Sequence, residues 1–240
     1  MKQILLGSIA VLLHSVATVS AQTTVGTFTG GDPGEGLDLQ GTFGAALYAS
    51  GADDGSIQVG DATFTFTEPN TGIVTASART PFGAPTYGNP TPSTDDLNLR
   101  LVNDYVYFAG NGNGGESLTI DLAVTAGQQY KLQLLYNEAC CNRGFDVIFE
   151  GVLAVDDFNP GIVQGGTGGG APQDVGTVLT HTFTATDGVF NVTLDGFNTP
   201  FPDKNSIFDS LTLETVPEPG SAILALTSAA GLLTLRRRRA

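Results

Sequence analysis

The chain has 240 residues and a formal net charge of −14, with 24 acidic side chains against 10 basic ones. A surface of that sign repels nucleic acid and anionic headgroups, which argues against nucleic-acid partners. Two histidines and two cysteines leave little material for a multi-histidine zinc site or a framework of disulfides.

The first residues read as an export signal. Lys2 supplies a positive start, residues 4–19 are largely apolar with a mild interruption at His14 and Ser15, and Val19-Ser20-Ala21 places small side chains at a cleavage site. Residues 1–21 are therefore expected to be a signal peptide removed by signal peptidase, and residues 22–215 to form one globular domain. That part keeps only five strong bases, Arg79, Arg100, Lys131, Arg143 and Lys204, against all but one of the acidic residues.

Short runs of alternating apolar and polar residues recur through this domain, and no long stretch shows helical apolar spacing. The clearest are residues 61–67, 103–109, 117–124, 129–136, 145–150, 178–185, 189–194 and 206–214. Their number and the turn residues between them predict an all-β fold, a single antiparallel β-sandwich. Within residues 117–124, Leu118, Ile120, Leu122 and Val124 share one face of the pleat. Tyr130, Leu132, Leu134 and Tyr136 repeat the device in the next run, with Lys131 and Gln133 facing outward. The short link 125–128 allows the two runs to pair as a hairpin. Two connections interrupt the regularity: residues 80–97, rich in proline and holding Asp95-Asp96, and the glycine-rich residues 159–176. Both are expected to be irregular, either functional or disordered. Asp53-Asp54 and Asp95-Asp96 are candidates for a structural calcium ion, with solvated turns the plainer reading; no other cofactor is expected.

Residues 130–160 carry the most information. A strand ends at Tyr136-Asn137-Glu138, a tight loop runs through Cys140-Cys141-Asn142-Arg143-Gly144, Phe145-Asp146-Val147 opens a strand, and its partner spans 152–158. Cys140 and Cys141 are the only cysteines and are adjacent. In an exported protein an even count favours a vicinal disulfide, with two thiols or bridges between chains as alternatives. The order of these strands and loops resembles the malectin-like and broader galactose-binding-like jelly rolls, and residues 187–192 and 205–214 look like the closing strands of the same fold. The likeness covers residues 117–214 and implies carbohydrate binding through loops at strand ends. Tyr48 and Tyr87 are expected to supply apolar faces for a sugar ring, and Glu138, Asn142, Arg143 and Asp157 its hydrogen-bonding groups. An ion pair between Glu138 and Arg143 that ties the loop down is the competing expectation for those two.

The end of the chain reads as an address. Pro217-Glu218-Pro219 is followed by an uncharged apolar run, residues 221–235, and by Arg236, Arg237, Arg238 and Arg239. This pattern resembles the PEP-CTERM sorting signal, whose family implies recognition by an exosortase, an integral membrane enzyme. Residues 216–240 are then the signal, residues 220–235 a short transmembrane segment with the arginines cytoplasmic, and the domain is exported to the cell surface or beyond. After signal removal His181 is the sole histidine, so a histidine-based triad has little support, and no spacing singles out a carboxylate pair for glycoside hydrolysis. The expectation is a non-enzymatic protein binding an extracellular polysaccharide or glycan. A structural matrix protein without ligand is the alternative, and a glycan-cleaving enzyme ranks below both.

Overall fold

The computed structural model describes residues 20–50, 55–110, 115–167 and 170–217. In chain order the strands are β1 (Gln22–Phe28), β2 (Phe43–Tyr48), β3 (Ser56–Val59), β4 (Ala62–Phe66), β5 (Val74–Thr75) and β6 (Ala78–Pro81). Helix α1 (Thr94–Val102) follows, then β7 (Tyr105–Phe108), β8 (Ser117–Ala123), β9 (Gln129–Tyr136), β10 (Phe145–Phe149) and β11 (Val152–Phe158). A single helical turn, α2 (Pro160–Val163), precedes β12 (Gly176–Thr184), β13 (Val189–Asp195), β14 (Ile207–Phe208) and β15 (Ser210–Val216).

They form a seven-stranded sheet ordered β1-β12-β9-β15-β2-β4-β3, a five-stranded sheet ordered β11-β10-β13-β8-β5, and a three-stranded ribbon β14-β7-β6. The fold is the all-β sandwich expected; pairing is antiparallel except between β2 and β4.

The main core lies between the two large sheets. Leu118, Ile120 and Leu122 of β8, flanked in the same sheet by Val192 and Leu194 of β13, pack against Leu132 and Leu134 of β9 in the other sheet, all buried in one cluster. Each fully buried aliphatic side chain of this kind contributes about 1.5–3 kcal/mol. The outer face of the seven-stranded sheet is also covered. Leu99 and Val102 of α1 pack there with Phe28, Tyr48, Phe64, Tyr87 and Leu135 in a second buried cluster.

Several expectations change. Strands β8 and β9 belong to different sheets and do not pair: the link 125–128 arches from one sheet to the other, held by Thr125 N–H donating to the Tyr130 hydroxyl at 2.9 Å and Gly127 N–H to the Ala185 carbonyl at 2.8 Å. Gln133, expected outward, is buried beside Thr212 because the second layer covers its face. Residues 80–97 are not structureless. Ser93 caps α1, its hydroxyl accepting the Asp96 N–H at 3.1 Å while Asp96 accepts the Ser93 N–H at 2.8 Å, a reciprocal capping box. Asp96 also accepts from Gly31 N–H at 2.9 Å, so it is a buried tie rather than a solvated turn residue. The glycine-rich stretch opens with α2, capped by Asn159.

Candidate functional site

The loop between β9 and β10, residues 137–144, sits at one pole of the sandwich and is built around Glu138. One carboxylate oxygen accepts the N–H groups of Cys140 at 3.1 Å and Cys141 at 3.0 Å; the other accepts Arg143 Nε at 3.0 Å. Arg143 spends its remaining nitrogens on the Asn205 carbonyl at 3.2 Å and on Asp203 Oδ2 at 3.0 Å. Its guanidinium carbon lies 5.3 Å from the Phe82 ring centre and 5.0 Å from that of Phe108, a cation–π arrangement. The backbone repeats the link, with Gly144 N–H donating to the Asp203 carbonyl at 3.1 Å and Asp203 N–H to the Asn142 carbonyl at 3.3 Å. A Cβ on Gly144 would fall 1.8 Å from Phe201, so glycine alone lets that ring close over the loop.

Glu138 is 0% exposed and Arg143 3%, so neither side chain reaches a ligand at the surface. Burial pushes the Glu138 carboxyl above its ordinary value, with Arg143 and the two cysteine amides pulling the other way. Beneath the loop, burial pushes the Asp209 carboxyl well above the usual carboxylate range, although it accepts the Asn137 N–H at 2.6 Å. Asp209 therefore holds its proton to higher pH than a surface aspartate.

Cys140 and Cys141 are joined by a disulfide, and Cys140 is exposed at the loop tip. Asn142 is half-buried, its amide oxygen accepting from Asn159 at 3.0 Å. Asp157, two residues before Asn159, is half-buried at a positive φ of 50°, and its N–H donates to Asp146 at 2.9 Å. The two tyrosines do not serve as platforms. Tyr87 is fully buried against Phe28, ring centres 5.0 Å apart, and burial pushes its hydroxyl far up. Tyr48 is 3% exposed, with its hydroxyl donating to the Gly55 carbonyl at 3.3 Å. Both pack in the layer that α1 adds over the seven-stranded sheet, which withdraws their rings from any sugar. Asp203 and Phe201, which complete the loop, carry no local motif; only their place before the closing strands points to them.

Carboxylate oxygens come together at Asp32, Glu35 and Asp96 and at Asp146, Asp156 and Asp157. In both groups backbone amides already occupy part of the oxygen capacity. Asp53-Asp54 and the sorting residues Glu218, Pro219, Arg236, Arg237, Arg238 and Arg239 lie outside the described residues, while Pro217 is irregular and follows β15. No described helix is long and apolar enough to cross a membrane.

No family profile and no curated protein matches the chain. Among solved structures, the ANXUR1 extracellular domain from Arabidopsis thaliana is similar, with a TM-score of 0.53 at 12% identity over 81% of this chain and 56% of that one. A chain in the structure of the plant peptide RALF23 in complex with FER and LLG2 gives 0.51 at 11% identity over 74% and 49%. This chain thus spans about half the length of those it resembles. At such identity the likeness speaks for the fold, a malectin-like β-sandwich.

Proposed function

We propose that the chain is an exported surface or extracellular-matrix protein, sorted by an exosortase-type system and binding a neutral glycan through the pole that carries residues 137–144. The observation behind the site is the buried Glu138–Arg143–Asp203 brace, which holds an exposed disulfide tip rigidly at the strand ends. Binding sites gain from such preorganisation because little ordering entropy remains to be lost on association. The brace changes the assignment of roles. Glu138 and Arg143 are positioning residues, and contact falls to what the loop leaves at the surface: the disulfide ring and the partly exposed Phe201 as apolar surface, with Asn142 and Asp157 as polar groups. The acidic surface disfavours anionic polysaccharides unless calcium bridges them.

The reading is a binder rather than an enzyme, with signal peptidase and an exosortase as its processing partners. A glycan array followed by calorimetry on the full chain in mild detergent tests it. Asn142→Ala and Asp157→Ala are expected to weaken binding by about tenfold or more each, ~1.4 kcal/mol. Absence of any saturable glycan binding would favour the structural matrix protein without ligand.

A further inference from the structure

The sandwich opens a second time at the pole opposite the disulfide loop. Strand β9 begins there at Gln129, paired with Thr184, and ends at Tyr136 beside the loop. Between the two large sheets at this pole lies a cleft of about 560 Å³. Its floor is a stack of rings: Phe183 and Phe190 have centres 3.8 Å apart, and His181 lies 4.2 Å from Phe149. His181 is tied to the Thr23 hydroxyl at 2.8 Å. The rim is apolar and exposed, with Val152 at 68%, Leu153 at 52% and Val189 at 45%. Among the described residues no lysine or arginine lines the cleft, and Glu150 stands at its edge with Asp187 on the neighbouring turn. An exposed apolar rim around an aromatic-floored opening marks a surface that meets something apolar.

The covalent course of the chain identifies what that is. Thr23 lines the cleft, and β1 begins next to it at Gln22. At the other end, Val216 pairs with Gln129, and its carbonyl accepts from Gln128 Nε2 at 2.9 Å. Both termini of the domain therefore leave from this pole. Residues 217–220 then lead to the apolar run at 221–235. Four fully extended residues reach at most ~14 Å, whereas an eight-residue strand alone spans ~26 Å. A bilayer that takes up the apolar run is thus within reach of the cleft pole.

We infer that this pole is a lipid-contact face: Val152, Leu153 and Val189 enter the surface of the membrane holding the tail, and one acyl chain enters the cleft. The inference rests on the membrane-inserted tail of the proposed function. Glu150 and Asp187, with no base among the described lining residues, fit a zwitterionic surface and repel an anionic one.

The chain contains no tryptophan, so one introduced indole reports alone. The chain from Gln22 to Ala240 carrying Leu153→Trp would be reconstituted in phosphatidylcholine vesicles with and without brominated acyl chains. A matching chain would carry Phe197→Trp, at an exposed position beyond the far end of β13. The expected result is bromine-dependent loss of emission from Leu153→Trp and none from Phe197→Trp. A chain that floats with the vesicles while Leu153→Trp keeps its emission, or while both probes are quenched alike, overturns the lipid-contact face and leaves the tail reading intact. A chain that does not float overturns the tail reading, and this inference with it.

Discussion

Arg143 and Glu138 face each other at 3.0 Å in the interior of the loop pole, both almost wholly withdrawn from solvent. Removing one partner of a buried, hydrogen-bonded pair leaves the other charge without compensation, at a cost of about 3–5 kcal/mol. Arg143→Ala strands two carboxylates, Glu138 and Asp203, and is expected to lower unfolding stability by that amount in urea titration. Arg143→Lys keeps a charge but loses the fork that spans both, so it should fall between wild type and Arg143→Ala. A change below about 1 kcal/mol in Arg143→Ala, the value of a surface pair, would show that the brace does not hold the loop.

His181 makes stability depend on pH in a defined direction. Burial lowers its pKa from 6.5 to about 4, and the ring is 7% exposed. The unfolded chain takes up a proton near pH 6.5 while the folded chain resists until about pH 4. The contribution is therefore complete above pH 6.5, declines as pH falls, and is lost below the folded value. Its ceiling is about 3 kcal/mol. Asp209 and Glu138, raised by burial, act in the opposite sense, favouring the folded state as pH falls. The measurement is accordingly a difference: stability of wild type minus His181→Phe across this range. A flat difference would contradict the burial of the imidazole.

How much of this was legible depends on whether one sheet or two layers decide a residue's environment. The dry face of β8 could be read because Leu118, Ile120 and Leu122 meet a single core, and alternation encodes that directly. Gln133, Tyr48 and Tyr87 could not, because their burial comes from α1 and the N-terminal loops, a second layer over the outer face that alternation within one strand does not encode. The helix itself left a signal, Ser93 three residues before Asp96, hidden by the prolines ahead of it. The link 125–128 suits a hairpin and an arch equally by length, and only the partners of β8, which are β13 and β5, decide between them. At the site, the possible pairing of Glu138 with Arg143 was visible from their spacing. That the pair is buried depends on Asp203 and the Phe82 and Phe108 rings, which no local pattern connects to the loop.

Processing offers a direct check on the ends of the chain. Protein recovered from outside its native host is expected to begin at Gln22 and to lack Arg236, Arg237, Arg238 and Arg239. Intact-mass measurement reads both termini at once. A species outside the cell that still carries the arginines would argue against handling by an exosortase, and one that retains residues 1–21 would argue against the cleavage site.

The last prediction concerns the loop tip. Cys140 and Cys141 are bonded to each other, and their amide N–H groups both point at one oxygen of Glu138. The carboxylate thus holds the backbone of the pair from inside, while Cys140 is an exposed residue at the loop tip. The disulfide and the oxidising compartment together predict that the exported protein resists alkylation until it is reduced, and that it runs as a monomer on a non-reducing gel. Peptide mass spectrometry of residues 132–143, the tryptic fragment ending at Arg143, distinguishes the outcomes. Full alkylation without prior reduction would mean two thiols, and a reducible dimer would mean pairing between chains. The amides do not depend on the sulfurs, so the Cys140→Ser, Cys141→Ser variant should keep the Glu138 contacts and lose less than about 2 kcal/mol of stability, far less than Arg143→Ala. If that variant unfolds as readily as Arg143→Ala, the disulfide rather than the Glu138–Arg143–Asp203 brace holds the loop.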